Sequence, residues 1–497
     1  MHRTRRSLLA GGALAAAAST LPWPTWAQAP KDRLTLGLAL EPPGLDPTAG
    51  AASSIAEVVL YNVFETLTKI NPDGSVSPLL AESWELGRDL KTCTLRLRRG
   101  VQFHNGAPCN ARSVQFSFER AGSAKSTNKD KATFAQLRTE VLDEHTVRLH
   151  SSEVEPDLLF LLGQATAIIV EPTSAASNAS KPIGTGPYRL QSWTRGAALT
   201  LTRWDGWRSA HSVRLARITF RFIPDPAAQV AALLAGDVDA FPRVTPRSMA
   251  QFKAQPRFQV IVSGSRAKTI LAMNHARKPL QDRRVRCAIA AAIDREAVIQ
   301  GAADGLGRAI GSHYVPGAFG YVDTTGLNPY DPDKARKLLA EAGVKLPLAL
   351  TLTLPPTPYA RQGGEIIAAM LAKVGIQARL QNVEWAQWLA GTYGQKNYDL
   401  TLISHVEPLD LGNFAKPGYY WGYRSPAFNT LYQQIQHSTR PADRARLLGD
   451  AQRLLAEDCV HAFLYQPQWV TVAAKDLRGL WSDMPVFVND LAGMYWA

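Results

Sequence analysis

Strands alternating with helices along nearly the whole chain predict a mixed α/β protein of several domains. Three observations carry that expectation. At residues 93–97 Cys93, Leu95 and Leu97 alternate with Thr94 and Arg96, the period of two of a half-buried strand. Residues 218–241 read as a complete βαβ unit: the strand ITFRFI, a turn at Pro224-Asp225-Pro226, a helix face of Val230, Leu233 and Leu234, a stop at Gly236, and a second strand VDAF. About 470 residues follow the first thirty, more than one hydrophobic core usually serves, so two or three domains are expected.

The elements follow in order. Arg5-Arg6 followed by Ser7, Leu8 and Leu9 matches a twin-arginine export signal over residues 1–29, cleaved after Ala27 or Ala29. The rival reading is an uncleaved anchor, but the apolar run ending at Ala18 is too short to span a bilayer. No cysteine adjoins the cut, so no lipid anchor is expected. Residues 34–40 alternate as a strand and end in EPPGLDP, which forms a rigid loop because proline and glycine exclude helix and central strand. Ile55, Val58, Val59 and Val63 give helical spacing over 55–66.

Beyond the strand at 93–97, Gly100 turns the chain, Val101 and Phe103 resume alternation, and Asn105-Gly106 supplies a second turn. Asn110 sits at an N-cap position, with Val114 and Phe118 behind it. The run KPIGTGPYRL at 181–190 is a tight turn feeding a strand at 188–193. As a phosphate-cradling loop it lacks a following Lys-Ser/Thr and a helix. Residues 286–299 continue as an Ala/Ile-rich helix. In NPYDPDKARKLLAEAG, Asp331 caps, Pro332 enters and Gly343 stops a helix. A strand at 350–354, a helix at 365–374 and a strand at 376–383 follow, and residues 400–403 form a further strand.

The formal charge is +13, and +10 without Arg3, Arg5 and Arg6. The basic residues are scattered without a reader motif, which excludes nucleic acid as partner. An anionic envelope surface or an anionic ligand both suit this charge. The four cysteines show no metal spacing. Cys287 reads as a small buried side chain in its helix, and an export route for folded proteins speaks against a disulfide-dependent fold. A Cys93–Cys109 bridge stays open.

The order LAESW, a charged turn, then LRRGVQFHNGAPCNARSV at 80–114 resembles the signature of solute-binding proteins of ABC importers, family 5. That is the dipeptide, oligopeptide and nickel-binding class, whose pattern runs LAESW and LRxGVxFHxGxPxxAxSV. The GTGPY turn and IPDPAAQVAALLAGDVDAF are similar to further motifs of that family, and the resemblance covers 34–470. It implies a periplasmic binding protein-like fold (type II, cluster C), a two-lobed clamshell with an extra inserted domain. Lobe I would comprise 32–52, 181–268 and 475–497, the inserted domain II 53–180, and lobe III 269–474. The implied function is a periplasmic, monomeric receptor, non-catalytic and without cofactor or resident metal. It would bind a short peptide or related amine-bearing solute such as an opine between the lobes, and deliver it to an inner-membrane ABC permease and ATPase.

Cleft residues should come from loops at strand ends. Residues 398–425 form the richest such segment, with His405, Glu407, Asp410, Tyr419, Tyr420, Trp421 and Tyr423 after a strand. In peptide-binding relatives an Asp in a Trp-x-x-Asp setting meets the peptide's amino group. Here Ser404-His405-Val406-Glu407 matches that run, so the resemblance gives Glu407 the acidic place, while the tryptophan is absent. The bland alternative is a solvated Glu407, or one paired with Arg424. His405 could donate to a ligand oxygen, hold a chelated metal or pack under the loop. Dipeptide-binding relatives place an arginine before a Pro-Tyr pair resembling Pro358-Tyr359; here that residue is Thr357, which leaves Tyr359 in place and puts strict dipeptide specificity in doubt. Arg361 could substitute, or pair near Glu365. Trp385 (with Trp388), Tyr420 and Trp421 could wall the cleft, and Gly44 lies in the loop that borders it in the family.

Three other functions are weighed, one of them a chaperone or scaffold role without transport. A nickel or metallophore receptor of the same family rests on His405 alone. An exported hydrolase lacks a Gly-x-Ser-x-Gly elbow and a His-Glu-x-x-His helix.

Overall fold

The strand Arg33–Leu38 occupies the interior of the largest sheet, because Leu34, Leu36 and Leu38 are buried to 2% exposure or less. It runs parallel to Arg217–Phe222 on one side and Ala240–Val244 on the other. The helix Pro226–Ala235 connects these two neighbours. Asp225 caps it by accepting from the Ala228 amide at 2.7 Å, Pro226 starts it, and Gly236 at φ +79° ends it. The computed structural model describes residues 31–497 apart from 51, 156 and 439, so the export signal expected at 1–29 lies outside the described residues.

Three larger sheets organise residues 32–497, which form one compact unit. The eight-stranded sheet runs, edge to edge, Asp483–Met484, Phe258–Ser265, Trp469–Ala474, Ala240–Val244, Arg33–Leu38, Arg217–Phe222, Ala198–Arg203 and Tyr188–Thr194. The six-stranded sheet runs Gly307–Ala309, His461–Pro467, Lys268–Met273, Leu400–His405, Leu348–Leu354 and Ile376–Asn382. The four-stranded antiparallel sheet is Ala81–Leu86, Thr92–Leu97, Thr146–Ser151 and Leu137–Asp143. Cys93, Leu95 and Leu97 of Thr92–Leu97 face inward, as the alternation requires. Among the described residues no helix is long and apolar enough to cross a membrane.

The chain passes twice between the two large sheets: from Phe258–Ser265 to Lys268–Met273, and from His461–Pro467 to Trp469–Ala474. The two passages are bonded side by side. The Gln466 amide donates to the Ser265 carbonyl at 2.6 Å, and the Ser265 hydroxyl to the Pro467 carbonyl at 2.9 Å.

Two signature turns are held together by one histidine. His104 donates from Nε2 to the Gly186 carbonyl at 2.9 Å, and Nδ1 accepts from the Gly184 amide at 3.3 Å. A Cβ at Gly184 would lie 1.9 Å from the Val63 carbonyl oxygen and one at Gly186 2.4 Å from that of Asn62, so only glycine permits this approach. The GTGPY turn is thus a clasp between chain segments.

Several local expectations change. The helix expected at 55–66 is Ser53–Val59, because Tyr61 adopts φ +61° and its hydroxyl donates to the Gly163 carbonyl at 2.7 Å. Residues 101–103 form only an isolated bridge, Gln102 to Pro108. The helix expected at 286–299 divides into Arg283–Ala291 and Arg295–Ala302, the second capped by Asp294. The helix expected from 365 begins at Pro358. Cys287, read as a small buried side chain, is half-buried and disulfide-bonded to Cys459, because Arg283–Ala291 brings the two Cα atoms to 5.1 Å. Cys93 and Cys109 are free, and burial pushes both thiols up to about 12.

Candidate functional site

The strand Leu400–His405 pairs antiparallel with Lys268–Met273 so that Lys268 stands opposite His405. This register puts a fully buried ammonium under the loop that follows the strand. Lys268 Nζ donates to the Glu407 carbonyl at 2.5 Å and to Asp410 Oδ1 at 2.6 Å. His313 Nε2 donates to the other oxygen, Asp410 Oδ2, at 2.8 Å. Burial alone would raise the Asp410 carboxyl, but His313 and Lys268 hold it well below the usual carboxylate range. His405 bonds the Tyr420 hydroxyl through Nε2 at 3.0 Å, and burial lowers its pKa to about 3. Residues 405–410 are therefore pinned from beneath by a matched ion pair and two neutral imidazoles.

Above this network opens a cleft of about 510 Å³. One wall is the pinned loop, Val406–Asp410 in sequence, with Asn413 and Lys416. A second wall carries Lys129, Asp130 and Gln164–Thr166 in sequence, and a third Pro47, Ser53, Ala56, Arg266, Trp469 and residues 484–487. Trp469 and Phe487 stack there with centroids 5.2 Å apart. Glu407 faces this space with a side chain 61% exposed, and the ring it approaches within 4 Å, His405 with Nδ1 at 3.9 Å, is the neutral imidazole described above. The pinned main chain thus presents a carboxylate whose charge no described cation neutralises.

Two other depressions have part of their charge engaged by internal contacts. One of about 470 Å³ contains the pairs Arg208–Glu65 and Lys69–Asp490, at 2.7 and 2.6 Å. In another, of about 740 Å³, Arg286 donates to the carbonyls of Leu280, Gln281, Asp458 and Cys459.

Of the eight residues singled out from sequence, Glu407 alone lines the cleft. His405, Tyr359 and Tyr420 stand behind it. The Tyr359 hydroxyl accepts from the Ser404 amide at 3.0 Å and so steadies the strand end. Tyr420 and Trp421 are buried in an aromatic core, Trp421 stacking on Phe414 at 4.5 Å. Large rings gain more from close packing than from facing water, which accounts for their position. Arg361 pairs with Glu384 at 3.5 Å. Trp385 is 44% exposed and meets Trp388 edge-on. Gly44 lies against Ala179, whose carbonyl accepts from the Leu45 amide. Sequence reasoning missed Lys268, His313, Arg266 and Trp469. A lone lysine opening the apolar strand KTILAM was the available signal for Lys268.

His313, His405 and Asp410 each offer a ligand atom within 4.8 Å of the others. The donor set does not fit a metal ion, because the fixed charge of Lys268 already bonds the same carboxylate.

Comparison with known proteins agrees with this architecture. Residues 75–429 match the family described as bacterial extracellular solute-binding proteins, family 5 Middle. Di/tripeptide-binding protein 1 of Pseudomonas aeruginosa (strain UCBPP-PA14) is 26% identical over 485 residues, covering 87% of this chain and 89% of that protein. The dipeptide-binding protein of Escherichia coli (strain K12) is 27% identical over 494 residues, covering 88% and 90%. The solved structure of the PBP AgaA from A.tumefacien R10, in complex with agropinic acid, superposes with a TM-score of 0.78 at 26% identity, covering 94% of this chain and 99% of that one. The match spans more than half of the chain, which therefore belongs to the bacterial extracellular solute-binding proteins of family 5.

Proposed function

We propose that this protein is the periplasmic receptor of an ABC importer and that it captures a short peptide or related amine-bearing solute, such as an opine, in the 510 Å³ cleft. It hands the solute to the permease and ATPase without making or breaking a bond. Glu407 is the observation that carries the reading. Its carboxylate faces the cleft without a cationic partner among the described residues, while Lys268 holds its main chain. A carboxylate placed so forms a charge-assisted hydrogen bond with an ammonium group once the cleft closes and water leaves. Relatives named for dipeptides and di/tripeptides, and a structural neighbour holding agropinic acid, support the same solute class.

The division into lobe I (32–52, 181–268, 475–497), domain II (53–180) and lobe III (269–474) belongs to this proposal. One boundary of that division moves: the strand Trp469–Ala474 lies inside the eight-stranded sheet and is assigned to lobe I instead of lobe III, and the two bonded passages between the sheets form the hinge. Export by the twin-arginine signal places the receptor in the periplasm, where it acts as a monomer.

Thermal-shift screening against di- to pentapeptides, opines and nickel–histidine tests the reading, since a ligand that binds only the folded chain raises its melting temperature. Glu407→Gln is expected to weaken an amine-bearing ligand by about tenfold or more, as loss of one charge-assisted bond implies. Unchanged affinity in that variant refutes the ammonium contact. Metal found by elemental mass spectrometry in the purified protein would favour a metallophore instead.

A further inference from the structure

The cleft holds a second charged group with unmet bonding capacity. Arg266 lines it and is 6% exposed. A guanidinium offers five donors in a planar fork. Among the described residues Arg266 uses one of them, from Nη1 to Asp483 Oδ2 at 3.2 Å, a long single contact. Asp73 lies near enough that Arg266 adds a minor pull to a carboxyl held low chiefly by Ser75.

Bare backbone flanks the fork on both sides. A Cβ on Gly74 would come within 3.1 Å of Nη2, and one on Gly317 within 3.2 Å of Nη1. Both glycines have positive φ, 83° and 84°, so neither position readily accepts a side chain that would cover the fork. The other cations of the cleft are less suited to recognition. Lys129 is half exposed and 3.0 Å from Asp130, and Lys416 reaches the Asn413 amide oxygen from an exposed position. A charge in water is screened, whereas one in a poorly hydrated wall is not.

We propose that Arg266 is the acid-recognising residue of the cleft, binding a carboxylate of the same solute whose ammonium group meets Glu407. The solute is then a zwitterion with an accessible acid group, and a neutral-ended or purely cationic amine is rejected. This rests on the solute-binding reading above and narrows its ligand class.

The test uses calorimetric titration of the full chain with free dipeptides (Ala-Phe, Ala-Leu) and with their C-terminal amides. Wild type is expected to prefer the acid by about tenfold or more. Arg266→Met should erase that preference by weakening the acid alone, leaving the amide within about twofold, while Arg266→Lys keeps part of it. Lys129→Met and Lys416→Met should leave the preference in place. Asp483→Asn acts in the opposite direction, because it frees the fork: the acid-to-amide ratio should rise about threefold or more. Equal weakening of acid and amide by Arg266→Met would assign the residue to the passage between the sheets instead, and overturn the proposal. So would a preference that vanishes only with Lys129→Met or Lys416→Met, or one that does not rise in Asp483→Asn. The Asp483→Asn result stands on its own if Arg266→Met does not fold. Should none of the probes bind wild type at millimolar concentration, the peptide reading fails, and this inference with it.

Discussion

His104 joins two motifs that lie eighty residues apart, and it can do so only as a neutral ring. Its Nδ1 must keep a lone pair for the Gly184 amide while Nε2 keeps its proton for the Gly186 carbonyl. Burial, opposed only in part by the bond to Gly186, lowers its pKa from 6.5 to about 4. Burial likewise takes His405 and His275 to about 3. In the unfolded chain these rings protonate near 6.5, so between that pH and 3–4 the unfolded state binds more protons than the folded one. Stability is therefore complete above pH 6.5 and declines as pH falls through the window. For His104 alone the full loss is roughly 3 kcal/mol. The melting temperature should hold steady between pH 7 and 8 and drop progressively from pH 6.5 to 4. His104→Asn retains a donor and an acceptor; it should melt lower at pH 7 yet show a shallower pH dependence. An equal slope in variant and wild type contradicts the assignment.

At the scale of elements, what the sequence made legible was what local chemistry decides. Asn110 and Asp331 cap the helices expected of them, because a cap needs only residues within one turn. Glu407 was legible as an acid on the loop beyond a strand end, while its assignment as a ligand contact came from the family resemblance. Lys268, in contrast, acts on Glu407 and Asp410 across 139 and 142 residues, and only the strand register brings them together. Arg266 gains its place from the passage between two sheets, and no periodicity marks it. The aromatic residues at 419–423 suggested a ligand wall by density alone, yet burial in the core took most of their rings.

The Cys287–Cys459 bridge is hidden for the same reason, since 172 residues separate its ends. It ties Arg283–Ala291 to the chain just beyond Pro441–Glu457, and the Arg283 guanidinium reinforces that junction by donating to the Glu457 carbonyl. A cross-link closing so long a loop restricts the unfolded chain by roughly 5 kcal/mol in the entropic account. Chemical denaturation with and without reductant should show a lower midpoint for the reduced protein, and Cys287→Ala/Cys459→Ala should match it. Coincident midpoints would mean that the bridge is absent or energetically idle.

At the scale of the whole molecule, one ion pair ties parts of the chain that the clamshell proposal assigns to different moving bodies. Arg444, on the helix Pro441–Glu457, lies 2.7 Å from Asp157, beside the helix Leu158–Leu161 of the inserted segment. The side chains are 18% and 36% exposed, so the pair is screened in part and holds about 1 kcal/mol or less. That is enough to shift an open–closed equilibrium several-fold when the two forms lie close in energy. Asp157→Asn should therefore enlarge the unliganded radius of gyration in small-angle X-ray scattering. Saturating ligand should restore the wild-type value, since binding energy then outweighs the missing pair. Raising ionic strength should move wild type toward the variant and leave the variant unchanged. Affinity should fall by a factor of about five at most, without the acid-to-amide discrimination assigned to Arg266. An unliganded radius identical in both proteins across salt would place the pair outside the closing motion and leave cleft closure to the solute alone.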